Sequence, residues 1–153
     1  MAAKTSLLYD VFVLYQSVGI MLGRALSPAP LTPEEYAIYS HVLEFNRCTP
    51  SEMARDLNMP LQTVSDWIAV LRNRGHLVSA TNDRDRRSYR ISLTDEGRRI
   101  QREANVHFER AYRLFIKSLE TSEREMRGHV QEMTAASRSA TVTIERQLLK
   151  DVV

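Results

Sequence analysis

A charged segment followed by a regular apolar alternation constrains the fold more than any other part of this chain. Residues 82–88 are all polar and include three arginines. Every second residue from 89 to 93 is apolar, which is typical of a strand with one buried face. Burying so many charges would be costly, so the segment must lie in solvent. The pattern predicts a β-hairpin of two short strands, residues 77–81 and 89–93, with an arginine-rich tip.

Two threonine-proline segments predict helix starts upstream of the hairpin. The two segments are Thr32-Pro33-Glu34-Glu35 and Thr49-Pro50-Ser51-Glu52. In each, the threonine side chain is placed to cap a helix, and the glutamate three residues later is placed to accept from the backbone N–H of that threonine. Proline suits the first position of a helix because it lacks a backbone N–H, and an N–H at that position would have no acceptor within the helix. We therefore expect one helix over residues 33–45 and a short one from residue 50 to residue 57.

Another helix is predicted over residues 61–74, after the tight connection at residues 58–60. The apolar residues on its buried side are Val64, Ile68 and Leu71. Gly75 ends it. Met59 would be its N-cap and Pro60 its first residue, which is a weak start. A short helix, a tight turn and a second helix make a helix-turn-helix, and the hairpin that follows makes it winged.

The flanking segments predict long helices. Residues 7–26 carry apolar side chains at steps of three and four, which indicates a buried amphipathic helix. Asp10 and Arg24 interrupt this segment, which argues against a membrane span. Thr94 is placed to cap a long helix, and Ser122 to open the last one. The expected fold is mainly α with a small β-hairpin wing.

Positive charge is concentrated in one part of the chain. Residues 72–102 hold nine arginines and four acidic residues, a net charge of +5. The whole chain has a net charge of +2, so the remainder carries −3. Such a concentration is typical of a surface that contacts phosphates, although a solvated charged surface without a partner has the same composition.

The predicted helix-turn-helix presents polar side chains suited to bases and phosphates. Those off the buried side of the second helix are Gln62, Thr63, Ser65 and Asp66. Glutamine pairs with adenine, and serine or threonine with several bases. Asp66 is unusual near phosphates, and it could accept from a cytosine amino group or orient Arg72 or another arginine. Ser51 is a candidate phosphate contact at the start of the short helix.

Together these segments resemble the MarR family of bacterial regulators. The matching residues are Ser51-Glu52-Met53-Ala54-Arg55-Asp56-Leu57, Thr63-Val64-Ser65, Leu71-Arg72-Asn73-Arg74-Gly75-His76-Leu77-Val78, Asp85-Arg86-Arg87 and Ser92-Leu93-Thr94-Asp95-Glu96-Gly97. The wing followed by the Leu-Thr-x-x-Gly helix start is the most specific part. Pro60 and Asp66 depart from the family pattern, which often has a serine or threonine cap and a basic residue there.

The resemblance implies a homodimeric, ligand-responsive repressor that binds double-stranded DNA at a pseudo-palindromic operator. It implies a single domain over residues 1–153, with a DNA-binding lobe at 33–94 and dimerisation helices at 4–26 and 95–150. The apolar residues of the flanking helices support a dimer independently, because a lone module would expose them. By similarity, Arg87 enters the minor groove and Asp85 holds it, while Arg84 and Arg86 contact the backbone.

The resemblance also implies a small-molecule pocket, often for an aromatic or phenolic compound. Tyr15, Tyr36 and His41 are its candidate residues, since each offers a polar tip on an apolar face. Plain core or dimer packing is the alternative for each of them. Two other functions remain open at this point: a redox-responsive regulator that uses Cys48, and a winged-helix adaptor that binds proteins.

The sequence gives no support to several other classes of protein function. The chain contains no catalytic motif, so we expect no enzyme, and its four histidines lack the spacing of a local metal site. We expect no cofactor and no membrane partner. A single cysteine, Cys48, allows no disulfide within the chain and is consistent with a reducing, cytoplasmic location.

Overall fold

The computed structural model describes residues 6–82 and 88–151. Within them the chain forms six helices and one two-stranded antiparallel sheet. In chain order the elements are α1 (Leu7–Leu26), α2 (Pro33–Phe45), α3 (Pro50–Asp56), α4 (Leu61–Asn73), β1 (Leu77–Thr81), β2 (Tyr89–Leu93), α5 (Asp95–Lys117) and α6 (Glu123–Asp151). This order confirms the mainly helical fold with a small hairpin wing.

Both predicted capping boxes are present. At the start of α2 the Thr32 hydroxyl accepts from the Glu35 N–H at 3.2 Å, and the Glu35 carboxylate accepts from the Thr32 N–H at 3.0 Å. At α3 the Thr49 hydroxyl accepts from the Glu52 N–H at 3.2 Å, and the Glu52 carboxylate accepts from the Thr49 N–H at 2.7 Å. Each box satisfies two backbone donors that the helix leaves unpaired.

The start of α4 differs from the prediction. Pro60, not Met59, is the N-cap, and no side chain caps this helix. The Met59 N–H donates to the carbonyl of Ala54 at 2.9 Å, so Met59 belongs to the turn that closes α3. The Pro60 carbonyl accepts from the Val64 N–H at 3.1 Å. Stability at this helix start therefore comes from packing, because the capping hydrogen bond is missing.

The core lies between α2, α3, α4 and the sheet. Val64, Ile68 and Leu71 are all buried, as the helical spacing predicts. Other fully buried members are Ile38, Tyr39, Val42, Met53 and Ile91. One continuous apolar cluster thus fixes the helix-turn-helix against the sheet.

The wing strands pair in the predicted places. Leu77 of β1 lies opposite Leu93 of β2, and Thr81 lies opposite Tyr89. Cys48, in the loop before α3, forms a bridge to Ile91, with the Ile91 N–H donating to the Cys48 carbonyl at 2.9 Å. The sheet is thereby joined to the loop that leads into the helix-turn-helix.

Helix α1 is not the buried helix that the apolar spacing predicts. Its buried residue is Leu26, at the C-terminal end, whereas Phe12 is 58% exposed and Tyr15 is 72% exposed. An apolar helix face is buried only where another element covers it, and most of this helix has no such cover within the described chain. The helix ends are as expected, with the Ser6 hydroxyl accepting from the Tyr9 N–H at 3.3 Å.

The chain divides into two compact units, Met1–Ala111 and Tyr112–Val153. In the first, the start of α5 joins the core through Ile100 and Ala104. In the second, α6 begins after Ser122, whose hydroxyl accepts from the Glu125 N–H at 3.3 Å, and its apolar side chains are largely exposed. Single-domain organisation remains a prediction. Among the described residues, no helix combines the length and apolar character that crossing a membrane requires.

Candidate nucleic-acid interface

The helix-turn-helix presents the predicted polar residues on its outer side. Gln62 and Asp66 are exposed on the first half of α4, and Thr63 and Ser65 are partly exposed beside them. Opposite them on the same helix lies the buried side formed by Val64, Ile68 and Leu71. Ser51 at the start of α3 and Arg72 near the end of α4 are also exposed. The outer half of α4 thus carries hydrogen-bonding groups, as a recognition helix requires.

Asp66 has a partner that the sequence analysis did not name. The Gln62 side-chain amide donates to the Asp66 carboxylate at 2.8 Å. The two residues are four apart on one helix face, and this spacing is the signal that could have revealed the pair. Because the carboxylate holds one end of the amide, Asp66 orients the Gln62 side chain on the outer face of the helix.

The tip of the wing lies outside the described residues. Arg84, Asp85, Arg86 and Arg87 belong to the segment 83–87, so their roles remain predictions from the sequence. The residues that flank this segment are described. The Asn82 side-chain amide donates to the Ser88 hydroxyl at 2.6 Å, and Asn82 itself is buried. The sequence predicts that Asn82 is part of the exposed tip, whereas its buried side chain anchors the base of the wing.

Several arginines counted in the positive segment already have acidic partners. Arg74 pairs with Glu35 at 2.6 Å, and Arg98 with Asp95 at 2.8 Å. Arg99 pairs with carboxylates of its own helix as well. Asp95 and Glu96 are already subtracted in the net charge of residues 72–102, whereas Glu35 and Glu103 lie outside that range. The net charge therefore overstates the positive charge available to phosphates only through the pairs that these two outside carboxylates form.

Two polar contacts fix the end of α4 against α2. Arg74 pairs with Glu35, which is 4% exposed and also takes part in the α2 capping box. The Tyr39 hydroxyl lies 2.5 Å from Nδ1 of His76. Burial, followed by the nearby Glu35 charge, raises the pKa of Tyr39 to about 12, so its hydroxyl keeps its proton. His76 thus links the start of the wing to the core.

The three candidate ligand residues have different surroundings. Tyr15 is exposed on α1. Tyr36 stacks on Phe108 with a ring-centroid distance of 4.6 Å, and its hydroxyl donates to the Asn105 carbonyl oxygen at 2.6 Å. The polar tip of Tyr36 is therefore engaged with α5, as in ordinary core packing.

His41 is buried on another side of α2. Its ring lies 4.6 Å from that of Phe45, and Nε2 lies 3.9 Å from the Asp56 carboxylate. Nε2 has no hydrogen-bond partner among the described residues. Burial lowers the pKa of His41, while Asp56, Glu44 and Glu52 act in the opposite direction. Tyr36 and His41 thus contact different elements, and a ligand role for either remains a prediction.

Cys48 is a buried core residue with an unreactive thiol. It is 4% exposed, and burial raises the pKa of its thiol to about 11. At pH 7 about one thiol in 10⁴ is then ionised, and the thiolate is the form that reacts with oxidants. These properties give no support to the redox alternative.

We expect hydrogen peroxide to leave unchanged the DNA binding that the sequence predicts. Cys48 should react with a thiol reagent only on unfolding, because both burial and the raised pKa protect it. Binding titrations before and after peroxide treatment, with Cys48→Ser as the control, measure this. Loss of binding in the wild type that Cys48→Ser prevents would restore the redox alternative.

No protein-family model and no curated protein matches this chain. Many solved structures match its fold. The PcaV transcriptional regulator from Streptomyces coelicolor, in complex with its natural ligand, is 21% identical and aligns over 92% of this chain and 99% of its own, with a TM-score of 0.73.

Two further structures extend this similarity. The M. tuberculosis transcriptional regulator MOSR, in complex with DNA, is 20% identical and aligns over 89% of this chain and 98% of its own, with a TM-score of 0.76. A MarR transcriptional regulator from Methanosarcina mazei Go1 is 17% identical and aligns over 86% and 96%, with a TM-score of 0.69. All three share this chain's fold over nearly their full length.

Proposed function

We propose that this chain, which has the winged helix-turn-helix fold of the MarR transcriptional regulators, binds double-stranded DNA as a homodimer and represses transcription from a pseudo-palindromic operator. The exposed polar half of α4 carries the proposal, because it lies on a helix fixed by a buried apolar side. The complex of MOSR with DNA supports it. The similar structures are named as transcriptional regulators, which supports a non-enzymatic role.

In the proposed complex α4 enters the major groove and the wing enters the minor groove. The residues that contact base edges are Thr63, Ser65 and Gln62. Asp66 orients the Gln62 side chain for this contact. Arg87 takes the minor groove, where the negative potential is strongest. Ser51, Arg72, Arg84 and Arg86 contact the phosphate backbone, and Asp85 holds Arg87.

Replacing Arg87 by Ala is expected to weaken binding to operator and non-operator DNA alike. The slope of log K against log salt is negative, and its magnitude should decrease by about one because one phosphate-neutralising charge is lost. Titration of labelled operator and scrambled DNA over a range of salt concentrations measures both quantities. An unchanged slope would contradict the minor-groove assignment.

Gln62→Ala serves as the matched contrast in the same titrations. This variant removes a side chain that the proposal places on bases, so it should alter the preference among operator variants while leaving the salt slope as it was. A uniform loss on all sequences would argue against base contact by Gln62. Wild-type binding that is weak, salt-insensitive and equal on both DNAs would contradict the proposed function itself and favour the protein-binding adaptor.

The exposed apolar residues of the flanking helices support the proposed homodimer. Leu8, Phe12 and Tyr15 on α1 are each more than half exposed in the single chain, and so is Leu148 on α6. Soluble monomers rarely leave apolar surfaces of this extent in water. A second copy of the chain would cover them and would place two recognition helices on the two halves of one operator.

The proposed regulation is release of DNA by a small aromatic or phenolic ligand. Tyr15, Tyr36 and His41 are its candidate contacts, and the complex of PcaV with its natural ligand supports a ligand site on this fold. Such a ligand acts by binding the DNA-free conformation more tightly, which shifts the population away from the bound state. Addition of aromatic carboxylates and phenols to the operator titration tests this part.

A further inference from the structure

Arg90 bridges two parts of the DNA-binding lobe that are far apart in sequence. It lies on β2, and its Nε donates to the side-chain oxygen of Asn82 at 3.1 Å. Its Nη1 donates to the backbone carbonyl of Arg47 at 2.5 Å. One guanidinium thus contacts the end of β1 and the loop before α3. A planar fork with fixed donor directions suits such a bridge, and a lysine amine does not provide it.

On the wing side, Arg90 fixes the residue that closes the base of the tip. Asn82 is 5% exposed, and its side-chain amide donates to the Ser88 hydroxyl at 2.6 Å. The Asn82 N–H also donates to the Ser88 carbonyl at 3.4 Å. With the amide oxygen accepting from Arg90, the orientation of the Asn82 side chain is determined. Asn82 and Ser88, which flank the segment 83–87, are therefore held together at a defined place.

On the other side, Arg90 fixes an unusual backbone conformation. Arg47 has φ +69°, in the left-handed region that residues with a side chain rarely adopt. Such a conformation persists where neighbouring contacts determine it. Here the Arg47 carbonyl accepts from Arg90, and the next carbonyl, that of Cys48, accepts from the Ile91 N–H at 2.9 Å. This loop leads directly to Thr49, the N-cap of α3.

We propose that Arg90 is a positioning residue that sets the place of the wing relative to the helix-turn-helix. It acts through Asn82 and Arg47 and does not itself contact DNA. The inference rests on the proposed DNA-binding function. A wing held in place before binding loses less conformational freedom on entering a groove, so its arginines contribute more to affinity.

Two replacements of Arg90 separate positioning from direct contact. Arg90→Met removes the donors, and Arg90→Lys keeps the charge but loses the fork. Both are expected to weaken operator binding about tenfold, a coupling typical of residues in one hydrogen-bond network. Arg124→Met, which removes one exposed arginine from α6, is the matched control and should bind as the wild type does. Full affinity in Arg90→Lys would overturn the proposal, because a phosphate contact needs only the charge.

A double variant that combines Arg90→Met with Arg87→Ala provides a second test of positioning against direct contact. If Arg90 acts by positioning the wing, Arg90→Met should cause a smaller fold-loss in the Arg87→Ala background than in the wild type, because one of the contacts that it positions is already absent. If the fold-loss in affinity of the double variant equals the product of the two single fold-losses, the proposal is overturned and Arg90 has a contact of its own. Thermal unfolding of each variant shows whether the fold is retained during these titrations.

Hydrogen exchange tests the bridge without DNA. The amides of Asn82 and Ile91 should exchange faster in Arg90→Met than in the wild type, while that of the core residue Ile38 should not change. Unchanged exchange at both would overturn the positioning role. If the wild type binds no DNA, the proposed function fails, and accelerated exchange would still show that Arg90 holds the wing base.

Discussion

Replacing Phe12 by Asp is expected to disrupt the proposed homodimer and to weaken binding to the proposed operator about 100-fold or more. Phe12 lies on α1 and is 58% exposed in the single chain, among apolar neighbours that are also exposed. A charge there would have to be buried without a partner if a second chain covered this surface. Two modules joined in one dimer bind two half-sites far more tightly than either alone. Light scattering after gel filtration and titration of the full operator measure the two effects.

The matched control for Phe12→Asp is Ser17→Asp. Ser17 lies on the more polar side of α1, which also carries Asp10 and Arg24, and its hydroxyl donates to the Val13 carbonyl. This variant introduces the same charge and should remain a dimer with wild-type affinity. On DNA with one half-site, Phe12→Asp and the wild type should bind alike. Persistence of the dimer in Phe12→Asp would show that this side of α1 is not the interface.

The helix boundaries of this protein follow from sequence because their signals are local. Thr32 with Glu35, and Thr49 with Glu52, are three residues apart, so the capping boxes need no knowledge of the tertiary structure. The alternation over residues 89–93 is equally local, and the strand it predicts is found. The start of α4 is an exception, because no side chain caps this helix and no local signal marks its boundary.

The polar contacts that join the elements could not be predicted in this way. Arg90 and Arg47 are 43 residues apart, and Tyr39 and His76 are 37 apart. No periodicity or motif relates such pairs, and only the packed structure brings them together. The same reason explains the overestimate of positive charge, since Arg74 is paired with Glu35, 39 residues away.

The outer face of the helix-turn-helix was predictable for a different reason. Once Val64, Ile68 and Leu71 define the buried side of α4, helix geometry places Gln62, Thr63, Ser65 and Asp66 away from the center of that side. Whether α1 is covered by its own chain or by a second copy was not predictable, because an apolar helix face has the same sequence in both cases.

Replacing Gly97 by Ala is expected to lower the free energy of unfolding by about 3 kcal/mol. A Cβ at this position would lie 2.2 Å from the backbone carbonyl oxygen of His76. That oxygen accepts from the Thr94 N–H at 3.0 Å, while the Thr94 hydroxyl donates to the Gly75 carbonyl at 2.8 Å. The clash can be relieved only by breaking this junction. Urea denaturation at fixed protein concentration measures the loss.

Gly75→Ala is the matched control for Gly97→Ala. Gly75 has φ +74° but open space around it, so its variant should lose only about 1 kcal/mol, the strain of the left-handed conformation. Equal effects of the two variants would show that the Gly97 contact relaxes at no cost. A larger effect at Gly97 would give the Leu-Thr-x-x-Gly pattern a physical meaning. Its threonine binds the end of α4 and its glycine lets α5 approach, so the wing, α4 and α5 are held at one junction.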